Sequence, residues 1–138
     1  MIVLLDEQLD TPDSAVATAL SIFGKKSDCL FGSLRTESPG IQDPDIPGYC
    51  KERGIAALVT ANVKDFGARE VMFEGLMASG ISVVVLRPGK MKLTPEMQTT
   101  LLLPKLKEMI SGINVAIISG APILVKVTPS DMVVRHAR

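Results

Sequence analysis

A chain of 138 residues is the length of one domain, and on folding it should bury about two-thirds of its unfolded surface. Fifteen basic and fifteen acidic residues cancel, which excludes a uniformly basic nucleic-acid binder and leaves only a local basic rim for that role. The sole histidine, His136, sits at the tail, so the body of the chain offers neither a His-rich zinc site nor a Ser-His-Asp triad. Catalysis then falls to carboxylates, which with carbonyls and water suit hard cations such as magnesium and manganese.

In chain order, residues 2–5 read as a strand that ends on adjacent acids, Asp6 and Glu7. Thr11-Pro12 is a helix start, threonine as N-cap and proline at the first helical position. Val16, Leu20 and Phe23 form one apolar stripe, and Gly24 ends that helix. A weaker strand follows at 29–34, then the loop-like segment RTESPGIQDPDIPG. A second helix is expected from near Asp43 to about Arg53, stopped by Gly54, and residues 55–60 form a clear strand. A third helix spans roughly 67–79, with Met72 and Leu76 stacked one turn apart. GISVVVLRPGK reads as a buried strand running into a turn. Thr94-Pro95-Glu96 opens a longer helix through about Ser111, which Pro104 should kink or split because it removes an internal hydrogen bond. The last 26 residues hold three apolar runs separated by SGAP and TPSD, which suggests short strands joined by tight turns.

This alternation argues for a single α/β domain over residues 1–138, a sandwich on a mainly parallel sheet with helices on both faces and a short C-terminal strand pair. With no Trp and one Tyr, the core must be built from Val, Ile, Leu and Met. Cys29 and Cys50 lack CxxC spacing and read as buried small hydrophobes of a reduced protein. No signal-peptide pattern opens the chain, and no apolar run reaches the roughly 18 residues of a membrane span. A soluble cytoplasmic protein with no membrane contact is expected. The C-terminal apolar segment is long for so small a domain, and an exposed strand edge invites pairing, so a homodimer is expected too.

The acids form a pattern. LLDE, GIQDPDI and TANVKDF each place a carboxylate at an element boundary, and Asp6 and the Asn62/Asp65 pair fall at strand ends. Ligands of parallel sheets bind beyond the carboxyl ends of the strands. Carboxylates gathered without a cation repel one another, and a divalent ion removes that cost. Asp43 has two readings on local grounds, N-cap of the second helix or metal ligand, and one does not exclude the other. Asp45 is the weaker candidate.

LLDEQL near the start, GIQDPDI before a helix and LVTANVKDFG after a later strand resemble the motifs of the PIN-like domain family, the group related to VapC-type toxin ribonucleases. The resemblance covers most of the chain, in motif order more than in motif length. It implies a three-layer α/β/α fold and a magnesium- or manganese-dependent ribonuclease acting on single-stranded RNA. Many relatives are toxins neutralised by a partner, so an antitoxin protein is implied as well. Asp6 matches the family's first metal-binding acid, Asp43 the acid opening the second helix, and Asp65 the acid before a phenylalanine. Asn62 stands where much of the family has aspartate, and Thr60 matches a strand-end hydroxyl that orients an acid or a water. The amide of Asn62 brings no charge, which supports the alternative of a catalytically inactive PIN-like module that binds RNA or protein.

The mechanism implied is metal-assisted phosphodiester hydrolysis, with Asp6, Asp43 and Asp65 holding the ion and Asn62 and Thr60 supporting it. Arg35, Arg87, Lys90 and Lys92 fall in loops that would border the pocket and contact phosphates. Tyr49 and Phe66 are too few for base-specific stacking. A receiver domain is disfavoured because no phosphoacceptor aspartate or strand-end lysine is convincingly placed. A dinucleotide-binding domain is disfavoured because DEQLDTP has no glycine.

Overall fold

The computed structural model describes residues 1–6, 29–61, 66–87, 101–129 and 131–136. Within them lie six strands: β1 (Ile2–Leu5), β2 (Leu30–Ser33), β3 (Ala57–Ala61), β4 (Ser82–Leu86), β5 (Ile123–Val127) and β6 (Met132–His136). The helices are α1 (Leu34–Glu37), α2 (Ile46–Glu52), α3 (Phe66–Ala78) and α4 (Leu106–Ser119). The helix expected after Thr11-Pro12 and the one opened by Thr94-Pro95 fall outside the described residues, apart from the latter's C-terminal end.

The strands form one mainly parallel sheet in the order β2-β1-β3-β4-β5-β6, with β6 alone antiparallel, paired to β5. The sequence explains which strands are central. ALVTA and SVVVL are buried at every position, as strands covered on both faces must be. ILVKV alternates buried and half-buried positions, which marks β5 as covered fully on one face only.

Pleating sends successive side chains of each strand to opposite faces, and each set has its own helices. Leu4, Leu58, Val83 and Val85 pack with Ile46 and Cys50 of α2 and with Met72, Phe73 and Leu76 of α3. Val3, Leu5, Val59 and Val84 pack with Leu106, Met109, Ile110 and Ile113 of α4. Hydrophobic burial on this scale contributes about 25 cal/mol for each Å² of apolar surface removed from water.

Two expectations change. The run INVAIIS, expected as a strand, is the second half of α4. Its β-branched residues favour a strand locally, but Ile113 and Ala116 continue the buried stripe begun at Leu106, and packing against the sheet decides. Gly120, left-handed at φ 69°, ends the helix, with its amide donating to the Ala116 and Ile117 carbonyls. Pro104 does split the preceding helix. It lies in a 3-10 turn over Leu103–Lys105, and α4 starts afresh behind it.

The second expected helix is also divided. A 3-10 turn, Asp43–Asp45, precedes α2; Gln42 is the N-cap of that turn and Asp45 the N-cap of α2, so Asp43 caps neither. Pro47, unusual inside a longer helix, is ordinary here because it falls in the first turn of α2. The antiparallel β5–β6 pair confirms the C-terminal strand pair.

Candidate functional site

Strand order reverses at β1, which has β2 on one side and β3 on the other. In open parallel sheets the crevice beyond the carboxyl ends at such a reversal is where ligands sit. Asp6 directly follows β1 there. Its amide donates to the Val59 carbonyl at 2.9 Å, which continues the β1–β3 ladder by one residue. Asp6 is 5% exposed, and the hydroxyl of Thr60, a fully buried residue of β3, donates to Asp6 Oδ2 at 2.6 Å. A short bond to a charged acceptor in a buried setting is among the stronger hydrogen bonds in proteins. It fixes the rotamer of the acid at the crevice.

Topology brings Asp43 to the same edge. The connection from β2 to β3 crosses over β1, so α2 runs back from the carboxyl edge, and the turn at Asp43–Asp45 lies at its start. Asp43 is partly exposed there. Asn62 and Asp65, the remaining candidates, fall outside the described residues, as do Lys90 and Lys92. The structure therefore joins Thr60 to Asp6 directly and places Asp43 at their edge of the sheet. Among the described residues no group of three or more His, Cys, Asp or Glu side chains is gathered closely enough to hold a metal ion. The donors that are described, a buried carboxylate, its hydroxyl partner and a second carboxylate at the edge, are the hard oxygen ligands that magnesium and manganese take.

A neighbouring cluster escaped the sequence. Glu37 Oε1 accepts from the Tyr49 hydroxyl at 3.1 Å and pairs with the Arg53 guanidinium at 3.1 Å. Arg53 also lies over the Tyr49 ring, 5.7 Å from its centroid. This clasp ties α1 to α2 and gives Tyr49 a structural partner. Gly32 makes room for it, since a Cβ there would collide with the Glu37 carboxylate and lie 2.9 Å from a Leu4 methyl. The signal available in the sequence was the i, i+4 spacing of Tyr49 and Arg53. Its acidic partner lies 12 residues from Tyr49, beyond any local pattern.

Neither Cys29 nor Cys50 is in a disulfide, and both are buried. Burial first, then the charges of Glu37 and Asp6, push the Cys50 thiol from 9.0 up to about 12. The fold keeps this proton where the unfolded chain releases it. The stabilisation is complete below about pH 9 and is lost as pH rises toward 12. Urea unfolding is therefore expected to show stability falling across that window by up to about 1.4 kcal/mol per pH unit. Cys50→Ala should flatten the decline, and an unchanged pH profile in the variant would rule out this thiol as its source.

At the opposite edge, a cleft of about 610 Å³ is lined by Lys51, Ser79 and Asn114 and by the glycines that end α2, α3 and α4. It lies at the amino ends of the strands, away from the acids. No described helix is long and apolar enough to cross a membrane. No family model, curated protein or solved structure matches the chain.

Proposed function

We propose that the chain is a divalent-metal-dependent ribonuclease that hydrolyses phosphodiester bonds of single-stranded RNA, on a three-layer α/β/α fold of the PIN-like kind. The observation that supports it most is the buried Asp6–Thr60 pair at the reversal point of a parallel sheet. A carboxylate is costly to bury, and the Thr60 hydroxyl holds this one at the edge where ligands of open parallel sheets bind. Asp6, Asp43 and Asp65 hold the ion in this reading, and Asn62 supports it through an uncharged amide. Thr60 positions Asp6. Bound magnesium or manganese supplies polarisation of a phosphoryl oxygen and a water of lowered pKa.

Asn62 favours the second reading, an inactive module of the same fold that binds RNA or protein. The first reading brings two association proposals with it, an antitoxin partner and a homodimer. The homodimer is supported by β6, which ends the sheet order and leaves Val133 and Val134 exposed.

Incubation of labelled single-stranded RNA with the protein and manganese tests the activity. Cleavage that disappears with EDTA and rises in Asn62→Asp is expected, since an added carboxylate strengthens attraction to the ion. RNA bound but left intact with every cation tried would select the inactive module instead.

A further inference from the structure

An α-helix ends on carbonyls that its own ladder leaves without an N–H, and they give that terminus a partial negative charge. Two long helices end this way at the cleft of about 610 Å³ on the amino edge of the sheet. Ser79 and Gly80 follow α3 there, and Gly120 follows α4. Among the described residues, no backbone N–H donates to the Ser79, Gly80 or Gly120 carbonyl. Gly80, left-handed at φ 80°, has no side chain to shield its end, and a Cβ there or at Gly120 would meet nothing within 4 Å. Neither α3 nor α4 carries a basic residue in its last turn. The cation that commonly complements a helix C-terminus is missing from both.

The rest of the lining divides by chemistry. Ile55 and Ile81 are buried apolar residues of the cleft, and Ile117 is half exposed in it. The Ser79 hydroxyl and the Asn114 amide add groups that can donate or accept. Lys51, in the last turn of α2, is the one charged side chain of the described lining, and it is exposed. A lone anion in this cleft would face two negative helix ends, and a lone cation would face Lys51. A bare hydrocarbon would cut the free carbonyls off from water, which is costly. A molecule carrying an ammonium, a carboxylate and an aliphatic body meets all three demands. The volume is that of an ordinary small-molecule pocket and leaves room for more than one such residue.

We infer that the cleft binds a zwitterionic aliphatic amino acid or short peptide. Its ammonium sits on the ends of α3 and α4, its carboxylate on Lys51, and its hydrocarbon on Ile55, Ile81 and Ile117. The site goes beyond the ribonuclease reading and does not depend on it, since the acids lie at the other edge of the sheet and no metal is needed.

Titration of L-leucine and L-leucyl-L-leucine into isotope-labelled protein, followed by NMR at the backbone amides, tests the site. Saturable shifts of the Ser79, Gly80 and Gly120 amides are expected, with those of Asp6 and Thr60 unmoved. The probe that binds more tightly identifies the source, free amino acid or peptide. Isoamylamine, which lacks the carboxylate, should bind about threefold more weakly than leucine, the worth of an exposed ion pair. Lys51→Gln should weaken leucine by about the same factor and leave isoamylamine unchanged. Isovalerate, which lacks the ammonium, should not saturate at about 50 mM, because it meets only the negative helix ends and Lys51. Ile117→Lys, at an exposed position, sets a cation beside the end of α4 and should weaken leucine about fivefold. Isovalerate binding as tightly as leucine would overturn the inference in favour of an anion site. Isoamylamine binding as tightly as leucine would overturn it in favour of a simple amine site. The absence of any saturable shift at Gly80 and Gly120 with either zwitterion would overturn it outright.

Discussion

Asp6→Asn is expected to abolish manganese-dependent cleavage of single-stranded RNA while leaving the chain folded. The substitution keeps the shape of the side chain and an oxygen able to accept from Thr60, but it removes the charge that a hard cation requires. Thr60→Val separates the acid from its support. Thr60 is fully buried and its hydroxyl donates to Asp6 Oδ2 at 2.6 Å, so valine removes a hydrogen bond to a charged group without opening a cavity. That loss should cost about 1–3 kcal/mol in urea unfolding. Activity should fall by about 10–100-fold, the range seen when a partner that orients a ligand is removed. Thr60→Ser, which keeps the donor, should recover most of the activity. A Thr60→Val protein as active as wild type would mean that the Asp6–Thr60 bond serves the fold alone.

The largest loss of stability is expected at the sheet's centre. Leu58 of β3 is fully buried between the ladders to β1 and β4 and packs in the cluster that α2 and α3 complete. Leu58→Ala removes packed methyl groups from a site whose neighbours are fixed by the sheet, so the space cannot collapse. About 3 kcal/mol should be lost in urea unfolding. Val71, 75% exposed on α3, is the control, and its alanine variant should stay within about 0.5 kcal/mol of wild type. A loss below about 1 kcal/mol at Leu58 would contradict the packing described for this face.

The sheet was legible because its strands carry period and composition together. VLL before Asp6 and VVV before Leu86 are short, β-branched or aliphatic, and bounded by turn residues. The strand end at Asp6 was legible for the same reason, and Thr60 was singled out on the strand that proves to be its neighbour. The second half of α4 was not legible. Ile113 to Ile118 are mostly β-branched, and only packing against the sheet reveals that one side of them is core and the other exposed. The Glu37–Tyr49–Arg53 clasp was legible only in its Tyr49–Arg53 spacing, because Glu37 comes from another element 12 residues away. The cap of α2 falls on Asp45 and not on Asp43 because a 3-10 turn is inserted ahead of the helix, a boundary that Pro44 and Pro47 blur in the sequence.

Calorimetric titration of manganese into wild type and Asp6→Asn tests the central claim most directly, because it needs neither an RNA target nor a cleavage assay. Saturable binding at one site in wild type, lost in the variant, is the predicted result. The same ligand should raise the melting temperature of wild type alone, since it binds only the folded state. Equal manganese affinity in the two proteins, or none in wild type, would contradict the metal site at the carboxyl edge.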